Sequence, residues 1–196
     1  VALAFTSPIL GLNAAARHWL GPRRDCFRIH RKDDEMAYPA ATEHAIAEFA
    51  SRGLAIEILI SPTSTRTAAE AAASLETSVA QIVKSLVFLV DGRPVLALMS
   101  GVNRLDEASL ARAVAGVKVE RANADQVRAA TGYVIGGVPP VTSNPDVPIV
   151  CDRDLLQYPV VYAAAGTPHH NFAVDPALLV RITGARVADL KAEARS

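Results

Sequence analysis

The stretch IVKSLVFLVDGRPVLALM, residues 82–99, reads as a β-hairpin and decides the fold class. Ile82 to Val90 is rich in β-branched and large apolar side chains, and Pro94 to Met99 repeats that character after Asp91-Gly92. Asp-Gly between two apolar runs is a strong short-range signal for a two-residue turn. Strands joined that tightly must run antiparallel, because a parallel return needs a long crossover.

Upstream, Thr67 and Glu70 form a T-x-x-E capping box ahead of an alanine-rich helix ending near Leu75. Leu54 to Ile60 reads as a strand stopped by Ser61-Pro62. Thr42 to Arg52 reads as an amphipathic helix with Ile46 and Phe49 on one face and Gly53 as its stop. Downstream, Asp106 to Val114 and Asn123 to Ala130 read as helices, the second capped by Asn123, with a short strand at Val117 to Glu120 between them. A glycine- and proline-rich segment follows over residues 131–148. Val147 to Cys151 and Val160 to Ala164 read as strands, and Asp175-Pro176 supplies a cap and first-turn proline for a last helix through Arg181. Strands and helices do not alternate strictly. The expectation is a mixed, largely antiparallel α+β domain and not a doubly wound sheet.

The 196 residues suit one domain with an appended arm, divided as 1–40 and 41–196. Apolar residues make up 51% and aromatic residues only 5%, so small aliphatic side chains must build the core. Lys plus Arg and Asp plus Glu are 20 each. Zero net charge argues against a large non-specific nucleic-acid surface but allows a small contact with a nucleic-acid end. Cys26 and Cys151 lie too far apart in sequence for a C-x-x-C site or a disulfide framework. The first residues read poorly as a signal peptide, since Arg17 and His18 interrupt the apolar run, and no stretch has the length of a membrane span. The expected location is cytoplasmic. In the arm, Asn13 to Leu20 reads as a short helix. The basic residues Arg23, Arg24, Arg28, Arg31 and Lys32 fit a solvated arm or a strip touching phosphates.

Three places could carry chemistry. Lys84 sits inside the apolar strand run, where a charge is costly without a partner. Its residue type leaves two readings open: an outward lysine whose stem covers the sheet, or an ammonium aimed into a cleft. Gly136-Gly137-Val138-Pro139-Pro140 is either a stiff turn or a loop that brings its backbone close to a ligand. It matches no dinucleotide or Walker-type pattern. Gly166-Thr167-Pro168-His169-His170 precedes the last helix; neighbouring histidines on an extended chain face opposite ways and chelate a metal poorly.

In order along the chain, six segments resemble the YbaK/EbsC family of aminoacyl-tRNA deacylases, relatives of the editing domain of bacterial prolyl-tRNA synthetases. They are T-A-x-E-A-A from Thr67, I-V-K-S-L-V-F from Ile82, M-S-G-x-x-R-L-D from Met99, T-G-Y-x-I-G-G-V-P-P from Thr131, P-I-V-x-D-R-D-L from Pro148, and A-A-G-T-P from Ala164 with the ending at Leu190. The resemblance implies a partial barrel flanked by helices and hydrolysis of the ester between a mischarged amino acid and the terminal adenosine of tRNA. The implied substrate is a small amino acid such as alanine, serine, threonine or cysteine, with tRNA-Pro one acceptor. It also implies no metal or organic cofactor, help from the terminal ribose hydroxyl, and the tRNA acceptor end and a synthetase as partners. The family's lysine falls on Lys84, and its glycine-rich loop falls on Gly136, Gly137 and Pro140. The pocket wall falls near Ser85, Gly166, Thr167 and His169. Two departures stand out: Val141-Thr142-Ser143-Asn144 replaces an aromatic-glycine-histidine sequence, and no tyrosine occurs around Ser61 to Arg66. Both weaken a cysteinyl-specific assignment. The other readings are a non-catalytic module binding a tRNA end or synthetase, and a small-molecule esterase or amidase.

Overall fold

The computed structural model describes residues 29, 30, 37–62, 64, 65 and 67–193. The expected helix at Asn13–Leu20, the five basic residues of the arm and Cys26 lie outside them. In chain order the elements are β1 (Ile29–His30), α1 (Ala40–Ser51), β2 (Ile58–Ile60), α2 (Ala68–Ser74), β3 (Val83–Val90), β4 (Arg93–Ser100) and α3 (Glu107–Ala113). They continue with β5 (Val119–Arg121), α4 (Ala124–Thr131), β6 (Ile149–Asp152), β7 (Val161–Ala164), β8 (His170–Val174), α5 (Pro176–Thr183) and β9 (Arg186–Ala188).

The hairpin is the spine. Asp91 and Gly92 take φ of +50° and +77°, a left-handed pair that closes β3 onto β4 from Val90↔Arg93 to Val83↔Ser100. One sheet runs β5-β3-β4-β6-β9 and the other β1-β2-β8-β7. Most pairs are antiparallel, as expected, but β4–β6 and β6–β9 are parallel. An isolated parallel bridge, Ile82↔Tyr162, brings the two sheets together at the start of β3. The arrangement is a mixed α+β partial barrel, open along one side of β3.

The predicted helices form with the predicted caps. The Thr67 hydroxyl accepts from Glu70 N–H while the Glu70 carboxylate accepts from Thr67 N–H, and Asn123 and Gln126 make the same reciprocal pair at α4. Each such cap is worth about 1 kcal/mol. The strand expected over Leu54–Ile60 is shorter, because only Ile58–Ile60 finds partners, in β1 and β8. Leu54 instead turns into the core at 3% exposure.

The main core lies between the sheets and α1. Phe49 and Phe172 meet there at 4.8 Å with a 59° tilt, amid Leu96, Leu98, Val138 and Val161. A second layer under α3 holds Phe88, Met99 and Leu110. The pleat of β3 divides its side chains between the two: Val83 and Val87 join the first, Leu86 and Phe88 the second.

Candidate active site

Between the Ile82↔Tyr162 bridge and the point where β5 begins to pair, one edge of β3 has no ladder partner among the described residues. A cavity of about 480 Å³ runs along that edge. Lys84 and Ser85 both line it, although the pleat sends their side chains to opposite faces, because the cavity follows the edge and not one face. Gly136 of the glycine-rich loop, Ala164 of β7 and Asn171 of β8 close the far side, and Arg121 and Ile135 stand at the exposed rim.

The Lys84 ammonium is half-buried and donates to the main-chain oxygen of Asn103 at 2.5 Å. Asn103 is itself fixed: its side-chain amide donates to Asp152 at 2.7 Å and to Asp154 at 2.9 Å. Asp152, 1% exposed, also accepts from Ser100 N–H at 3.3 Å. Burial pulls the Lys84 pKa below the ordinary lysine value, and the nearby Asp152 carboxylate opposes that pull. The ammonium therefore sits on a rigid mount, with donors left over for a ligand.

The loop expected to bring its backbone near a ligand is held from behind. A Cβ on Gly137 would lie 2.7 Å from Gly166 O and 2.8 Å from Thr167 Cα. One on Gly166, where φ is +92°, would lie 2.2 Å from Ala41 O. The two glycine-bearing turns and the start of α1 thus stack backbone against backbone, which only residues lacking Cβ permit. Tyr133 secures the other end of the loop by donating to the buried Glu48 carboxylate at 3.0 Å, with His44 stacked 5.6 Å from its ring. Burial, the Glu48 charge and that hydrogen bond push the Tyr133 phenol above its usual range.

Of the residues singled out in the sequence, Lys84, Ser85 and Gly136 come together on the cavity wall. Gly137, Gly166 and Thr167 form the layer behind it, and Pro140 is buried in the loop's base. His169 is exposed outside the cavity, its ring 3.4 Å from Ser61 O. Its neighbour His170 points inward, 2.6 Å from the Thr167 hydroxyl and 3.2 Å from that of Thr42. Among the described residues no cluster of three or more His, Cys, Asp or Glu is placed to hold a metal ion. The Cys151 thiol is buried and pushed up to about 12, so it is no nucleophile.

Sequence reasoning assigned no role to Asn103, Asp152, Arg121 or Asn171. The two aspartates of the D-R-D run were visible as a motif, but their distance in sequence from Lys84 hid the connection. Arg121 carried a weak signal, a cation just past the short strand expected over Val117 to Glu120 and two residues before the capping Asn123.

A lysine is thus mounted at the open edge of a partial barrel, facing a glycine-built wall. The chain belongs to the aminoacyl-tRNA editing domain family, whose model matches residues 63–182. It is 31% identical over 170 residues to the proline–tRNA ligase of Streptococcus equi subsp. equi, covering 84% of this chain and 27% of that protein. It is 28% identical over 97 residues to the candidate Cys-tRNA(Pro)/Cys-tRNA(Cys) deacylase EbsC of Enterococcus faecalis, covering 50% and 59% of the two chains. The chain thus spans about a quarter of the length of the ligase it matches. A solved structure of a candidate trans-editing enzyme for prolyl tRNA synthetase superposes with a TM-score of 0.75 at 43% identity, over 80% of this chain and all of that one. The family resemblance and the α+β partial-barrel expectation are both borne out.

Proposed function

We propose that this cavity hydrolyses the ester between a small amino acid and the terminal adenosine of a mischarged tRNA, acting in trans. The observation that carries the reading is the Lys84 ammonium, fixed by Asn103 O on the wall of a cavity in an editing-domain fold. An aminoacyl ester is already activated, so positioning and electrostatic help can supply most of the acceleration. Lys84 holds the ribose end of the substrate through its remaining donors. Arg121 at the rim meets the phosphate on the 5′ side of that adenosine, since a guanidinium suits that group. Gly136 and Gly137 bring the loop close to the ester, and the terminal ribose hydroxyl helps orient the attacking water. Only the acceptor end is gripped, which reconciles a tRNA substrate with zero net charge.

The amino-acid side chain meets an apolar wall that includes Val87, Val127 and Val138. One methylene is worth about 1–3 kcal/mol in such a pocket, so size separates alanine, serine, threonine and cysteine from larger residues. Similarity to proline–tRNA ligases supports tRNA-Pro as the acceptor, a prolyl-tRNA synthetase as the partner and the cytoplasm as the place of action.

The test is release of amino acid from tRNAs charged with alanine, serine, threonine and cysteine, on tRNA-Pro and on each cognate tRNA, by wild type and Lys84→Ala. Release that falls at least about tenfold in a folded Lys84→Ala variant, roughly 1.4 kcal/mol of transition-state binding, is the expected result. No release from any charged tRNA by folded wild type would leave a non-catalytic tRNA-end module in its place.

A further inference from the structure

Backbone direction along β3 can be read from two contacts. Val90↔Arg93 flanks a two-residue turn, so Val90 exchanges its hydrogen bonds with β4, and by the period of two so do Phe88, Leu86 and Lys84. The odd-numbered residues face the other way. Val87 shows it directly, since its carbonyl accepts from Ala122 N–H at 3.3 Å on the side away from β4. Two positions earlier, the N–H and C=O of Ser85 leave the strand on that same side. Among the described residues no strand is laddered to Ser85 on that side: β5 pairs only from Phe88 to Val90, and β7, though it runs nearby, forms its one bridge at Ile82↔Tyr162. What stands opposite is the cavity, and Ser85, Ala122 and Ala164 all line it. The Ser85 hydroxyl oxygen is also buried without a hydrogen-bond partner.

One donor and one acceptor, offered side by side by a single extended residue, have a specific complement. An α-aminoacyl group carries an ammonium donor and a carbonyl acceptor on adjacent atoms, as a strand residue does. We propose that Ser85 pairs through its main chain with the aminoacyl group of the substrate, as one residue of an antiparallel ladder pairs with another. The α-ammonium donates to Ser85 C=O, and the ester carbonyl accepts from Ser85 N–H. The pairing rests on the editing reading of the cavity and deepens it in two ways.

First, Ser85 N–H then points at the oxygen on which charge develops when water adds to the ester carbonyl, and a fixed backbone donor there stabilises the transition state more than the ground state. Second, residues directly opposed in a ladder put their side chains on the same face. The substrate side chain would then lie on the face shared by Ser85, Val83 and Val87, beside the unpartnered hydroxyl and away from Lys84. Recognition of the amino acid as an amino acid thus comes from the backbone, and recognition of its size from the flanking valines.

The test uses the full chain, labelled with nitrogen-15, and two hydrolysis-resistant probes: 3′-alanylamino-3′-deoxyadenosine and its propionyl counterpart, which lacks the amine. In the free protein, the Ser85 amide should exchange with solvent faster than those of Lys84 and Leu86. The alanyl probe should shift the Ser85 amide and slow its exchange about tenfold or more, and the propionyl probe should bind about tenfold more weakly. A Ser85 amide as protected as Leu86 in the free protein would overturn the pairing. So would an unmoved Ser85 amide when that of Gly136 shifts, or equal affinity for the two probes. If the alanyl probe moves no amide of the cavity, the editing reading falls together with the pairing.

Discussion

The side-chain amide of Asn103 bridges Asp152 and Asp154, at 2.7 and 2.9 Å, and in doing so fixes the carbonyl that receives Lys84. Two residues of the β4–α3 connection and the end of β6 therefore decide where the ammonium sits. Asp152 acts on Lys84 by charge and Asn103 by contact.

The expected consequence of Asp152→Asn is electrostatic. Removing the carboxylate leaves the burial of Lys84 unopposed, so its pKa moves further below the ordinary lysine value. Binding of the 3′-alanylamino probe, which needs the charged ammonium, should weaken with rising pH and do so at lower pH in the variant than in wild type. Coincident curves between about pH 6 and pH 10 would show that Asp152 is structural only. Asn103→Ala is expected to be harsher, leaving the buried Asp152 carboxylate without its side-chain donor at a cost of about 1–3 kcal/mol and lowering deacylation with it.

Gly137→Ala tests the stacked turns. Its Cβ would enter the space of Gly166 O, and relief requires the loop carrying Gly136 to move. A loss of about 1–3 kcal/mol in urea unfolding is expected, with a fall in turnover. Gly132→Ala is the control: φ there is +81° but nothing lies within 4 Å of the new atom. It should cost about 1–2 kcal/mol of backbone strain and leave turnover alone. Equal turnover in both variants would remove the loop from the site.

Asp91 gives a pH dependence of stability. Its carboxylate accepts from Lys118 N–H at 2.8 Å and Val117 N–H at 3.0 Å, and these bonds hold its pKa below the ordinary 3.8. A carboxyl whose folded pKa is depressed contributes stability above its unfolded pKa, and loses it as pH falls through the folded value. The margin of wild type over Asp91→Asn should be present near pH 6 and shrink below about pH 4. A margin that does not change with pH would assign the effect to turn geometry.

Where local chemistry sufficed, the sequence was readable. Asp91-Gly92, the Thr67–Glu70 box, Asn123 and Asp175-Pro176 each specify their own backbone, and the structure has a turn or a helix start at every one. β8 was missed because His170 to Val174 follows Gly-Thr-Pro and has no run of β-branched residues; its extended form comes from β2 and β7 on either side. The parallel partners of β6 left no mark, since β9 is three residues long and joins the sheet from a distant part of the chain. The site followed the same division. Lys84 announced itself as a charge in an apolar strand, whereas Asn103 and Asp152 matter only through distances that folding creates.

The Ile82↔Tyr162 bridge has a consequence for the order in which the protein is made. The hairpin that carries Lys84 closes as a local event that needs only neighbouring residues, whereas the mount of its ammonium waits for Asp152 and Asp154 to hold Asn103. The opposite wall, with Ala164 and Asn171, emerges from the ribosome much later and must find β3 across a long loop. A growing chain thus forms its hairpin well before the lysine is fixed or the cavity has a second wall. The cavity is enclosed only when β7 docks.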